Sequence, residues 1–196
     1  MTLQTILLDL DGTLLDSAPG LMTSTNTALA RCGCPPRSLA QITAAMGNGM
    51  ADLIARSLPG GAEDPRFAAC FNAFQEAYQS DMFTGSAPYP GILELLEALG
   101  NSGCRLAVVS NKRDGAVKAL CRQFFGERIA VAIGERPGVS RKPAPDSALT
   151  ALQELGMPAQ TAAYVGDSEV DIATARNAHL PCFSVDWGTR TREVLE

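Results

Sequence analysis

The run Thr5-Ile6-Leu7-Leu8 stops at two acids one residue apart, Asp9 and Asp11, with Gly12 and Thr13 directly behind them. A stretch this apolar belongs in the middle of a parallel sheet covered on both faces. A carboxylate is tolerated in such a strand only where the strand leaves the sheet, at the carboxyl edge, which is where open α/β sheets bind ligands. Asp9 is therefore expected at a crevice. If strand geometry persists, side chains two residues apart lean to one side, and Asp9 and Asp11 then need a cation or a shared proton. Taken alone, the stretch also reads as a strand followed by an Asp-Gly turn.

Asp16-Ser17-Ala18-Pro19 has the form of a capped helix start with proline in the first turn, and the helix is expected to reach about Arg31. Helical signals continue over 38–46, 50–57 and 65–80, broken by Pro35-Pro36, Gly47-Asn48-Gly49 and Pro59-Gly60-Gly61. Phe67, Phe71, Phe74 and Tyr78 recur every three or four residues and predict one aromatic face, the core of this helical segment. After the stiff connector Ala87-Pro88-Tyr89-Pro90-Gly91 the pattern changes. Helices over 92–99, 114–125, 145–155, 170–178 and 190–195 alternate with short apolar strands over 105–109, 129–133, 162–165 and 182–185. That alternation implies right-handed crossovers. The expected fold is α/β: a doubly wound parallel sheet with a Rossmann-like core, built from 1–15 and 85–196, and a small helical domain, 16–84, inserted after the first strand.

The composition narrows function by exclusion. With 46% hydrophobic and 19% charged residues among 196, the chain reads as a compact folded protein. A net charge of −5 offers no broad basic surface for nucleic acid. No apolar run approaches membrane-spanning length, and the first strand carries acids where a signal peptide needs a basic flank, so a cytoplasmic protein without membrane partners is expected. The six cysteines form no C-x-x-C pair and read as reduced small hydrophobes. Cys32-Gly33-Cys34, with His179 the single histidine, makes a poor soft-metal set.

Three later strands also end in reactive groups. The strand over 105–109 meets Ser110-Asn111-Lys112, a hydroxyl and an amide able to donate to phosphate oxygens, although both also cap helices. Arg141-Lys142-Pro143-Ala144-Pro145-Asp146 offers a lysine able to hold a dianionic phosphate together with a carboxylate. The strand over 162–165 runs into Gly166-Asp167-Ser168-Glu169-Val170-Asp171. Asp171 is also explained by the dipole of the helix it opens, Asp167 less so. Magnesium takes a few carboxylates plus phosphate oxygen and water, and Asp9, Asp11 and Asp167 can supply the protein's share.

In their order along the chain, DLDGTLLDS, SNK, RKPAPD and GDSEVD resemble the four motifs of the haloacid dehalogenase superfamily, and SNK, GVSRKPAPD and WGTR resemble its phosphoglycolate phosphatase group. The resemblance implies a magnesium-dependent phosphatase acting on a small phosphorylated metabolite, as a monomer or homodimer. Asp9 would be the nucleophile that becomes phosphorylated, and Asp11 the general acid and base. The metal would be held by Asp9, the backbone carbonyl of Asp11 and Asp167, with Asp171, Ser168 and Thr13 orienting that shell. Ser110, Asn111 and Lys142 would bind the phosphoryl group. The helical insert would be the cap domain that closes as a lid, with Gly47-Asn48-Gly49 as its substrate-facing loop and Lys112 or Arg56 reading a substrate anion. Two features depart from the family: the insert is short, and His179 stands where a helix-ending glycine is common, so a left-handed His179 is expected rather than a catalytic imidazole. The alternatives are a phosphomutase or pyrophosphatase of the same fold, and a receiver-like phosphoaspartate switch.

Overall fold

The computed structural model describes residues 2–196. In chain order it comprises β1 (Thr5–Leu8), β2 (Leu15–Asp16), α1 (Ala18–Arg31), α2 (Leu39–Ala45), α3 (Met50–Ser57), α4 (Phe67–Ser80), β3 (Ala87–Pro88), α5 (Ile92–Asn101), β4 (Arg105–Arg113), α6 (Asp114–Phe125), β5 (Val131–Glu135), α7 (Asp146–Leu155), β6 (Ala162–Gly166), α8 (Glu169–Asn177), β7 (Cys182–Ser184) and α9 (Arg192–Leu195). Two compact units result: the residues up to Asp16 with Ala87–Glu196, and Ser17–Ser86. No helix among the described residues is long and apolar enough to cross a membrane.

The core unit is a doubly wound α/β sheet of five parallel strands in the order β5-β4-β1-β6-β7. β1 is central because it is apolar on both sides. Ile6 and Leu8 pack with Val117, Leu120 and Phe125 on one face, while Leu7 packs with Ala148, Ala151 and Leu152 on the other. Each such buried leucine contributes roughly 1.5–3 kcal/mol of transfer free energy. The register aligns Leu8 with Val108 and with Val165, so the residues that follow them emerge at one carboxyl edge. That edge, flanking the strand where connections run off in both directions, is the ligand crevice of such sheets.

Two elements differ from the sequence reading. β4 does not stop at Val109 but continues to Arg113, with a register shift against β5 between those residues that marks a bulge. Bulges re-aim side chains beside sites, and here Ser110, Asn111 and Lys112 are all buried. The connector at 87–91 contributes β3, which pairs antiparallel with β2 through Leu15–Pro88 and Asp16–Ala87. A two-residue strand has no readable period, and proline is tolerated in a short edge strand.

In the helical unit, Ser38 and Gln41 form a capping box at the start of α2. Along α4, Cys70, Phe74 and Tyr78 are buried, with Phe67 stacked on Phe71 at 5.9 Å and Phe74 on Tyr78 at 5.7 Å. Phe74 and Tyr78 are thus buried as expected, while Phe67 and Phe71, at the start of the same face, are only half-buried. All six cysteines are free. Burial pushes the Cys70 and Cys121 thiols up to about 12, which keeps them protonated and hydrophobic. At the end of α8, His179 has φ 57°, and the bonds Leu180 N to Ala175 O and His179 N to Arg176 O complete a Schellman turn.

Candidate active site

Asp9 follows β1 directly. Its backbone N–H still donates to Val165 O at 2.9 Å, and its Oδ1 accepts from Leu10 N at 2.7 Å and from Lys142 Nζ at 2.9 Å. It is 7% exposed. Across the edge, Asp167 leaves β6 and is 1% exposed. Its Oδ2 accepts from both the backbone N–H of Thr189 (2.7 Å) and its hydroxyl (2.5 Å), and its Oδ1 from Thr13 Oγ1 (3.2 Å). The backbone crowds this carboxylate. Gly12, at φ 90°, and Gly188 both lie so close that a Cβ on either would strike Asp167. Glycine is required there by contact, and at Gly12 by conformation as well.

Lys142 is held from two sides. Its backbone N–H donates to Asn111 Oδ1 (2.8 Å) and its carbonyl accepts from Asn111 Nδ2 (3.1 Å). Its ammonium donates to Asp171 Oδ1 (2.7 Å), Asp9 Oδ1 (2.9 Å) and Tyr164 Oη (3.3 Å). Tyr164 in turn donates to Asp171 Oδ1 at 3.1 Å. Ser168 caps α8 and donates to Asp171 Oδ2 at 2.5 Å. Two networks therefore stand side by side, one joining Asp9, Lys142, Asp171 and Ser168 and the other Thr13, Asp167 and Thr189.

Asp11 goes elsewhere. Strand geometry ends before it, and both of its oxygens accept from Lys112 Nζ at 2.8 Å. The two acids expected to lean together each take their own ammonium. The tight carboxylate cluster is Asp9, Asp167 and Asp171, one oxygen of each lying within 4.8 Å of the others. The side chain of Asp11 is not in that cluster, and Asp171, placed by sequence in a supporting position, is. Asn111 is committed to the Lys142 backbone, which makes its side chain a fastening for that lysine. Ser110 Oγ accepts from Lys112 N at 3.2 Å. In the helical unit, Gly47-Asn48-Gly49 forms the turn between α2 and α3, with Gly47 and Gly49 at positive φ, and Arg56 faces Asp52 at 3.8 Å.

Burial dominates the electrostatics of the cluster. Burial first, and the Asp171 carboxylate next, push the Asp9 carboxyl well above its ordinary range against the pull of Lys142. Burial likewise raises Asp167, against its bonds from Thr189. Burial disfavours the Lys142 ammonium, but Asp171 and Asp9 more than offset it, so the lysine stays charged. Asp9 and Asp171 share one ammonium, while the third buried carboxylate, Asp167, is held by Thr189 and Thr13. An all-oxygen, net-negative donor set fits a hard divalent cation such as magnesium, and the absence of thiol or imidazole from the cluster argues against a soft one.

Sequence reasoning missed Tyr164 and Thr189. Tyr164 sits within an apolar strand and reads as core until its hydroxyl partners are seen. Thr189 carried a signal in the WGTR segment, where Trp187 Nε1 also donates to Thr13 O at 3.1 Å.

Comparison with known proteins agrees with this geometry. The family model described as haloacid dehalogenase-like hydrolase matches residues 6–185. The phosphoglycolate phosphatase of Rhodospirillum rubrum is 35% identical over 191 residues, covering 93% of this chain and 79% of the relative. That of Xylella fastidiosa is 33% identical, covering 97% and 83%. A candidate phosphoglycolate phosphatase of known structure from Lactobacillus delbrueckii subsp. bulgaricus superposes with a TM-score of 0.94 at 30% identity, covering 100% of this chain and 91% of that one. CbbY from Rhodobacter sphaeroides, solved in complex with phosphate, gives 0.76 at 28% identity, covering 97% and 89%. Motif order, sheet topology and these relatives agree: the chain belongs to the haloacid dehalogenase-like hydrolases and is an enzyme of that family.

Proposed function

We propose that this enzyme is a magnesium-dependent, cytoplasmic phosphatase that hydrolyses a small phosphate monoester of the phosphoglycolate kind through a phosphoaspartate at Asp9. The observation that carries the reading is the buried meeting of Asp9, Asp167 and Asp171 at the carboxyl edge of the sheet, with Lys142 paired to Asp9 and Asp171. Asp9 attacks phosphorus as a carboxylate, and the bond from phosphorus to the alcohol oxygen breaks. The departing alcohol takes its proton from Asp11. Asp11 then removes a proton from water, which attacks the same phosphorus, releases phosphate and restores Asp9.

Asp9, Asp167 and the Asp11 backbone would hold magnesium, with Asp171 beside them; the ion supplies charge that lets two anions approach. Lys142 neutralises the transferring group, and Asn111 and Tyr164 fix its direction. Ser110 donates its hydroxyl to a phosphoryl oxygen. Several preorganised charges are needed, because phosphate monoester hydrolysis calls for accelerations towards ~10²¹-fold and each tenfold takes ~1.36 kcal/mol. In the same reading the helical unit acts as the lid, and Gly47-Asn48-Gly49 is its substrate-selecting loop.

The test is phosphate release from a panel of small esters with magnesium and with EDTA, run beside glucose-phosphate interconversion. Magnesium-dependent release from small esters is the expected result. Phosphoryl movement between sugar positions would replace the reading with a mutase, and stable phosphorylation without turnover would replace it with a switch.

A further inference from the structure

Lys112 lies within the core unit on the bulged end of β4 and is 4% exposed, yet its ammonium stands at the reactive edge, donating to both oxygens of Asp11. Its backbone N–H is tied to Ser110 Oγ, the hydroxyl assigned above to the phosphoryl group. The other buried lysine of the site is spoken for, since the three donors of Lys142 face Asp9, Asp171 and Tyr164. A buried ammonium next to the acid that handles the leaving group sits on the alcohol side of the scissile bond. We propose that Lys112 Nζ is the docking point for an anionic group carried by the leaving alcohol, and so the residue that sets specificity for the ester class proposed above.

This inference rests on the phosphatase reading and deepens it. To protonate the leaving oxygen, Asp11 must come within one hydrogen bond of it, about 2.7 Å. Lys112 lies one further hydrogen bond beyond, 2.8 Å from Asp11. In an ester of glycolate a single methylene separates the ester oxygen from the carboxylate, so the carboxylate falls within that same span. The substrate carboxylate takes over the bond that one Asp11 oxygen makes to Lys112, and the released oxygen turns to the ester. A neutral alcohol leaves Asp11 fully held by Lys112. Recognition and proton transfer are thereby linked through one ammonium.

The experiment compares kcat/KM for 2-phosphoglycolate and ethyl phosphate, at saturating magnesium, in the wild type, Lys112→Met and Lys112→Arg. The wild type favours phosphoglycolate. Lys112→Met slows both esters, because Asp11 loses its support, but lowers the phosphoglycolate to ethyl phosphate ratio by about tenfold or more, chiefly through KM. Lys112→Arg recovers part of that ratio. An equal fall on both esters would show that Lys112 only props Asp11, and a wild type without preference would likewise overturn the proposal. A measurement on the wild type alone guards against misfolded variants: glycolate inhibits ethyl phosphate hydrolysis and glycolamide does not, whereas equal inhibition counts against it. Failure of the wild type to release phosphate from either ester would overturn the phosphatase reading itself, a separate outcome.

Discussion

In the helical unit Asp64 receives the Arg66 guanidinium in a two-point fork, both bonds at 2.8 Å, while in the core unit Asp9 shares the Lys142 ammonium with Asp171. Both aspartates are buried. Their surroundings act in opposite directions. Bonds from Arg66, side chain first and backbone next, hold the Asp64 carboxyl well below its ordinary range. Burial and a neighbouring carboxylate push Asp9 well above its own. One pair is complete, with a local partner two residues away that forms an ion pair with no other acid among the described residues. The other is crowded with negative charge, because Asp9 and Asp171 divide one ammonium and Asp167 lies beside them with only hydroxyl and amide donors. Structural ion pairs close on themselves, and a site built for a charged ligand does not.

The comparison is broken or sharpened first by Asp167→Asn set against Asp64→Asn. Removing a buried acid from the crowded cluster is expected to raise the metal-free thermal midpoint at neutral pH, while removing Asp64 lowers it. Magnesium at about a hundred times its Kd is expected to stabilise the wild type by ~2.7 kcal/mol, and Asp167→Asn loses most of this, as read by denaturant unfolding with and without the ion. Two midpoint shifts of the same sign would erase the distinction drawn here.

A smaller effect is expected when the support of Asp167 is thinned. Thr189→Val removes a hydroxyl bond but keeps the backbone N–H, and should weaken magnesium binding by roughly 10- to 100-fold in calorimetry. Tyr164→Phe deletes the bond to Asp171 and the acceptor for Lys142 without changing shape, so kcat should fall about tenfold with KM nearly unchanged, since hydrogen bonds to charged groups contribute about 1.5–3 kcal/mol. A change in KM alone would show that Tyr164 serves ground-state binding.

The smallest effects lie in the pH dependence. A carboxyl whose folded value is depressed contributes stability above its unfolded value, near 4, and that contribution disappears as pH falls. The penalty of Asp64→Asn should therefore be full at pH 7 and vanish in acid. Asp9 and Asp167, whose values are raised without metal, stabilise at low pH and lose that contribution as pH rises, and magnesium should flatten this slope. Parallel slopes in denaturant unfolding of the two substituted proteins would contradict the assignment.

Much of this arrangement was legible in the residues. Ile6, Leu7 and Leu8 are apolar in succession, so a strand buried on both faces and an acid at its tip followed directly, and β6 leading into Asp167 repeated the logic. The left-handed turn at His179 followed from the resemblance, since His179 stands where the family commonly ends this helix with glycine. The continuation of β4 was not, since Ser110-Asn111-Lys112 has neither the alternation nor the β-branched content of a strand and is held by burial and the bulge. Nor was the separation of Asp9 from Asp11. That depends on Lys112, a hundred residues away in sequence, and on a turn at Gly12 that ends the two-residue period. Tyr164 and Thr189 act through partners that only the fold brings near.

The central claim is that Asp9 accepts the phosphoryl group, and the most direct test is the mass of the peptide containing Asp9 after acid quench during turnover of 2-phosphoglycolate with magnesium. The account predicts an added phosphoryl group on that peptide, lost on hydroxylamine treatment and absent from Asp9→Asn, which releases no phosphate. Phosphate release with no adduct, and with Asp9→Asn as active as the wild type, would contradict it.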